Sequence, residues 1–477
     1  MFDFLRPLSN LTSLLTSHPS ESVRHLPTGS GAVRVDLPGN AQLVYVRDVA
    51  TMRTLASDRA LDRGPGVNLL RSVFGPDTLF LMPHGKSHQR RAGEFNKLLN
   101  QAHVEALTPR IAAHAGESVE AVREAVTREP ARAVDMQDVI LRYLFDVGAL
   151  AITGEDVDLA SEVAVFRRGV DALHREAASM IKTALAANAP ATAGYMAKEA
   201  RRAAGEFQEA GRRMLVAGAG RHDLADTLAL RTLKRHQIDP AGVDDSTVFP
   251  TEALNEVTMN LAASLFTTGN LIERTLDHFQ RHPQELRLLR DRIRADFPDG
   301  VASLTQLRNC PTLQMLVPAM LSHSPVGIVS RDVVAPTSFT DVDGTRHRLR
   351  PGDAVIFDVE GMQEGHRAEV AHELAQDGQP TLELLNQRHD DVMQTFFHGP
   401  NRCPGRFLAV ADSLLFLIPM LATFDSRWVD HDRPLERGIV NRLAGSSLAR
   451  LTPTGAGAST PGTSGRTSPA APALNPP

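Results

Sequence analysis

Cysteine is nearly missing from this sequence: of 477 residues, only Cys310 and Cys403 carry a thiol. They form no CxxC pair and no evenly spaced set, so neither a disulfide framework nor a zinc site built on thiolates is available. Two isolated thiols suit a reducing cytoplasm, the expected location. Basic charge is not in surplus either. The formal net charge is -5, which leaves nothing to neutralise phosphates over a nucleic-acid footprint and argues against such a partner. Long apolar runs are lacking. Residues 1–20 are broken by Asp3, Arg6 and several Ser and Thr, and read as neither a signal peptide nor a membrane anchor. The longest apolar stretch, 414–424, is too short to cross a bilayer. Internal repeats are absent, as is any fused flavin or iron–sulfur segment.

What is present is helical periodicity. Residues 104–126, 160–185, 197–217 and 252–297 place apolar side chains at helical spacing with charge on the other face, and they are rich in Ala, Leu, Arg and Glu. The expected fold class is therefore mainly α. A small β-sheet region is expected at 31–46, where two β-like runs flank Pro38-Gly39-Asn40, at 326–334, and at 339–357 around Asp343-Gly344 and Pro351-Gly352. Residues 452–477 are almost wholly Thr, Pro, Gly, Ala and Ser and read as a disordered tail, because such a segment buries too little apolar surface to offset its ordering entropy. Residues 1–451 then form one helical domain.

The segment that carries chemistry is Phe396-Phe397-His398-Gly399-Pro400-Asn401-Arg402-Cys403-Pro404-Gly405, followed by an apolar helical run from Phe407 to Met420. A thiolate ligand needs a tight loop whose backbone N–H groups face the sulfur, since those hydrogen bonds set its basicity and the potential of a bound iron. Glycines permit that close approach. The bland reading is a buried free cysteine in a Gly/Pro turn before a helix. The segment resembles the cysteine-ligand loop of the cytochrome P-450 superfamily, FxxGxxxCxG running into a helix with Ala409 six residues beyond the cysteine. The resemblance implies a cytochrome P-450-like helical fold, haem b (iron protoporphyrin IX) as cofactor, Cys403 as its metal ligand and Phe396 as a shield for the sulfur. It also implies haem contacts from the loop backbone at Gly405 and from Asn401 or Arg402. The family usually has Arg or His where Asn401 stands.

Three further segments are similar to the family in the expected order. Gly85-Lys86-Ser87-His88-Gln89-Arg90-Arg91 resembles the stretch whose His and Arg hold a haem propionate; His88 matches, Ala92 stands at the Arg position, and Arg91 is the expected replacement. Taken alone it reads as a solvated basic turn. Thr267-Thr268-Gly269-Asn270-Leu271-Ile272, leading to Arg281-His282-Pro283, resembles the long central helix that ends before His282-Pro283-Gln284-Glu285-Leu286. There Thr267 and Thr268 match the hydroxyls of the family's proton relay, whereas Phe266 occupies the position of the acid and Ser264 that of a glycine. Ser324-Pro325 through Asp332 resembles the strand whose arginine, here Arg331, reaches the other propionate. Counting back from it, the Glu and Arg of the family's ExxR motif fall on Pro318 and Leu321, so that motif is absent.

The resemblance implies monooxygenation of a small organic substrate with dioxygen and electrons from a separate ferredoxin or flavodoxin, docking on a basic surface near Arg402 and Arg406. The substrate pocket is expected between 163 and 215 and against Leu261, Leu265 and Phe266. Two alternatives stay open: a haem-thiolate enzyme that works on a peroxide or rearranges an oxygenated substrate, and a degenerate, non-catalytic binding protein.

Overall fold

The computed structural model describes residues 31–454 apart from 37–41, 64–66, 178–194, 196, 221–225, 299, 302, 304–305, 308–309, 324–325, 327, 364–392, 437–439 and 441. The readings for residues 1–30, for Pro38-Gly39-Asn40, for 178–185, for Ser324-Pro325 and for the tail beyond Thr454 lie outside the described residues.

The protein is mainly α. The first half holds α1 (Val49–Ala56), α2 (Asn68–Phe74), α3 (Lys86–Leu98), α4 (Gln101–Arg128), α5 (Met136–Thr153), α6 (Val163–Ala177) and α7 (Lys198–Ala219). The second half holds α8 (Leu228–Arg235), α9 (Thr251–Arg281), α10 (Pro283–Asp296), α11 (Pro311–Leu321) and α12 (Arg406–Thr423). Local signals set several starts. The side chains of Asn100, Asp135 and Thr227 accept the backbone N–H of His103, Asp138 and Leu230 at 2.9, 3.2 and 3.2 Å, satisfying donors that a helix start leaves orphaned. In α4, Val104, Leu107, Ile111, Ala115, Val119, Val122 and Val126 are buried at the three- and four-residue spacing of an amphipathic helix.

The expected helical stretch 252–297 divides into α9 and α10 at His282, whose backbone leaves the helical region (φ -121°, ψ 65°) before Pro283. In α9 every residue from Thr268 to Asp277 is buried. Charges inside such a helix need partners. Glu273 receives Arg433 at 2.7 Å, and Arg274 makes a two-pronged pair with Glu360 at 3.0 and 3.1 Å, both of those side chains being buried.

The main sheet runs β1 (Val33–Asp36), β2 (Gln42–Val46), then β8 (Ala354–Asp358), β5 (Ile328–Val333) and β3 (Leu61–Asp62). Only β2 and β8 are parallel, and Arg331 on β5 faces Val355 on β8 in register. A smaller sheet joins β4 (Val134–Asp135) and β9 (Phe424–Trp428) to β12 (Leu448–Pro453). Two hairpins complete the set, β6 (Thr337–Thr340) with β7 (Arg346–Leu349) and β10 (Leu435–Glu436) with β11 (Arg442–Leu443).

Two expectations are corrected here. Strand β12 pairs with β9 as far as Pro453, and the Thr454 N–H donates to the Thr423 carbonyl at 2.8 Å, so the ordered chain continues past the expected boundary at 451. The apolar stretch near 414 is the second half of α12, an 18-residue helix that by length and composition is long and apolar enough to cross a membrane. Since 61% of it is buried inside the protein, it reads as a core helix.

Candidate active site

The loop before α12 is shaped by backbone demands. Gly399 has φ +65°, and a Cβ there would lie 2.5 Å from the Ala56 carbonyl oxygen, so only glycine fits. Phe397 also sits in the left-handed region at φ 59°. The Cys403 N–H donates to the Phe396 carbonyl at 2.8 Å, closing the loop on itself. The Gly405 N–H points at the Cys403 sulfur, and Arg406 donates to the Cys403 carbonyl at 3.2 Å. Burial pushes the Cys403 thiol up, and the Gly405 N–H and the Arg406 charge oppose that shift by favouring the thiolate.

Cys403 opens into a cavity of about 720 Å³, within the roughly 300–1,000 Å³ typical of ligand pockets. The loop contributes Phe396, Asn401, Arg402 and Cys403; α9 contributes Thr267, Thr268 and Leu271; Arg63 just after β3, His88 on α3 and Arg331 on β5 bring basic groups. No Asp or Glu is among its lining residues within the described part of the chain. The basic groups pay for their position electrostatically. Burial, reinforced by the Arg63 charge, lowers Arg331 to about 9; burial lowers Arg63 to about 10. Both remain cations at neutral pH. His88 is lowered to about 4 by burial and by Arg63, so it is neutral there. Arg331 also lies 4.9 Å over the Phe397 ring, which ties this basic end to the loop.

The structure thus brings together Cys403, Phe396, Asn401, Arg402, His88, Arg331, Thr267 and Thr268 around one cavity. Two expected residues stand outside it. Arg91 turns away: its guanidinium donates to the Asp77 carbonyl, so it does not replace the arginine whose place Ala92 takes on the cavity wall. Gly405 does not line the cavity and acts through its N–H on the sulfur. Asn401 is held from behind, its Oδ1 2.8 Å from His84 Nε2. The Thr267 hydroxyl donates to the Ala263 carbonyl at 2.8 Å, within its own helix. Sequence reasoning missed Arg63. An arginine ahead of the sequence Gly-Pro-Gly carries no signal of its own; the pairing of Asp62 with Asp332 between β3 and β5 is what sets it beside Arg331.

No protein-family model matches the chain. It is 28% identical over 168 residues to probable cytochrome P450 28d1 of Drosophila melanogaster, which is 33% of this chain and 32% of that protein. It is 26% identical over 183 residues to cytochrome P450 monooxygenase calE of Penicillium decumbens, 36% and 34% of the two chains. A third relative, cytochrome P450 monooxygenase hepE of Aspergillus oryzae, is 25% identical over 174 residues, 34% and 31% of the two chains. The matches thus span about a third of the length of these curated relatives. Over these segments the chain is similar to cytochrome P450s.

The similarity to cytochrome P450s implies a haem, and the cavity residues fit one. A sulfur flanked by a backbone N–H stands on one wall, apolar Phe396 and Leu271 offer contact surface, and half-buried Arg63 and buried Arg331 present positive charge without a carboxylate on the lining, the arrangement an anionic propionate would neutralise. Where many P450s carry ExxR, this chain has position 318 within α11 and a fully buried Leu321; a buried ion pair is present instead between Arg274 and Glu360.

Thr267 also lines a second cavity, of about 170 Å³, whose walls include Phe166, Leu173, Ala203, Phe207 and Phe266. This is where the sequence places a substrate pocket, with two exceptions. Leu261 packs on α5, where a Cβ at Gly148 would meet its Cδ1 at 2.4 Å. Leu265, one turn later on the same side, lines a separate cavity of about 190 Å³ with Arg167 and Arg442.

Proposed function

We propose that the protein is a haem-thiolate monooxygenase that binds haem b in the 720 Å³ cavity and oxidises a small, largely apolar organic molecule held against Phe266. The single observation that carries this reading is the convergence on one cavity of the Cys403 sulfur, the central-helix threonines, Arg63 and Arg331. Bound there, haem supplies activation of dioxygen for transfer of one oxygen atom. Cys403 would hold the iron, with its charge moderated by the Gly405 N–H. Arg63, Arg331 and His88 would take the propionates, and Phe396 would keep water from the sulfur. Thr267 bridges the two cavities, so its hydroxyl is the group that can hold a proton or a water between substrate and cofactor. Exposed Arg402 and half-buried Arg406, beside the sulfur, suit an acidic electron donor of the ferredoxin or flavodoxin type. Two uncrosslinked cysteines are consistent with a cytoplasmic setting.

A second reading has its own support. With Phe266 in place of the acid, no carboxylate on the cavity lining and Thr267 bonded to its own helix, the usual proton relay is incomplete, which favours use of a peroxide that already carries its protons. The deciding experiment is the absorption spectrum of the purified protein, ferric and then reduced under carbon monoxide, beside Cys403→Ala. A red-shifted Soret band that vanishes in the variant is expected. A colourless protein after haem supplementation overturns both readings and leaves a P450-like binding scaffold. Product formed with peroxide and no reductase selects the second.

A further inference from the structure

At the C-terminal end of α9, outside the cavities described above, three side chains of metal-binding type converge. His278 lies in the last turns of α9, His282 at the break and Glu285 in the first turn of α10. Their ligand atoms all lie within 4.8 Å of one another, and His278 Nε2 is already 3.1 Å from Glu285 Oε2. A tetrahedral ion with bonds of about 2.0–2.1 Å holds its ligands about 3.4 Å apart. His282 is exposed, so a side-chain rotation closes the remaining gap without moving the core.

The second sphere is arranged as a ligand site needs. His282 Nδ1 lies 2.8 Å from the His278 carbonyl oxygen, so it carries the proton and donates it there. Its Nε2 is therefore the nitrogen with the free lone pair, the usual way a backbone carbonyl fixes the tautomer of a metal-binding imidazole. The two rings stack at 4.3 Å, and the His323 ring packs against His278 with centroids 4.8 Å apart.

We infer that His278, His282 and Glu285 form a site for one borderline divalent transition ion of the zinc type, with water in the fourth position. Two imidazole nitrogens and one carboxylate suit Zn²⁺, Ni²⁺ or Cu²⁺ and disfavour Mg²⁺ and Ca²⁺, which need all-oxygen shells. The ion ties α9 to α10 across the backbone break at His282, so it acts on the stability of the helix that also carries Thr267. The inference does not depend on haem being bound.

The test uses the untagged full chain, freed of metal by chelation, because an affinity tag would bind zinc itself. Zinc affinity is measured by competition with a chromogenic chelator, and the thermal midpoint is followed with zinc and with calcium. One tight equivalent and a midpoint raised by zinc but not by calcium are expected. His282→Ala and Glu285→Gln change exposed side chains and should leave the fold intact while lowering affinity at least about tenfold, the lower end of what even outer-sphere partners cost. Because the chain has 18 histidines, the comparison decides. Equal zinc binding by the parent and by His282→Ala overturns the inference, as does a parent protein that binds no zinc in the micromolar range.

Discussion

Two walls of the large cavity obey different rules. The sulfur wall is a loop in which backbone geometry does the work: Gly399 at φ +65° against the Ala56 carbonyl, the Cys403 N–H on the Phe396 carbonyl and the Gly405 N–H on the sulfur. The central-helix wall depends on side-chain identity, and there the chain departs from the family pattern, with Phe266 facing the apolar cavity and the Thr267 hydroxyl bonded within its helix. Backbone-determined geometry tolerates few residues. A side-chain role can move or lapse while the helix stays in place, because its packing is set by the buried run from Thr268 to Asp277.

The largest effect expected on this contrast concerns the charges behind the central helix. Arg274→Met leaves Glu360 buried without its two-pronged partner and should cost about 3–5 kcal/mol, read from denaturant unfolding. The double variant with Glu360→Leu should recover most of that loss. A single variant as stable as the parent would remove this pair from any role in fixing the helix.

On the sulfur wall, Gly399→Ala forces a Cβ to within 2.5 Å of a carbonyl oxygen at a positive φ. A loss of about 2–3 kcal/mol is expected, together with weaker haem retention in a dilution assay. Parent-like stability and retention would show that the loop has slack and that the contrast between the walls is overstated.

Asp412 gives a smaller effect of opposite sign. It is fully buried on α12, no cation among the described residues pairs with it, and burial drives its pKa far above the usual range, against the smaller opposing effect of the Ser413 and Asp412 backbone N–H groups. A group raised on folding stabilises below its unfolded value of about 3.9 and loses that contribution as pH climbs toward the folded value. Asp412→Asn escapes the loss. Its stability advantage should therefore open with rising pH by at most about 1.4 kcal/mol per unit, and unfolding midpoints at roughly pH 4, 6 and 8 check this. A gap that stays constant with pH refutes the neutral acid.

Smallest in stability is Thr267→Ala, which removes one intrahelical hydrogen bond and should change unfolding by about 1 kcal/mol or less. Its value is functional. Under the monooxygenase reading, the fraction of electrons recovered in product falls; under the peroxide reading, peroxide-supported turnover is unchanged.

The sequence by itself determined the helical class, because apolar spacing in segments such as 104–126 reports directly which face is buried. It pointed to the cysteine loop for a related reason: the positive φ at position 399 is a local demand that favours glycine, although the Ala56 carbonyl that leaves no room for a Cβ there belongs to a distant helix. Electrostatics and contacts between remote elements were decided only by the tertiary structure. Arg63 became a cavity residue through the β3–β5 pairing, Arg91 left the cavity for the Asp77 carbonyl, and Leu261 turned to Gly148. Each of these depends on which segment packs beside which, and spacing along the chain holds no record of that.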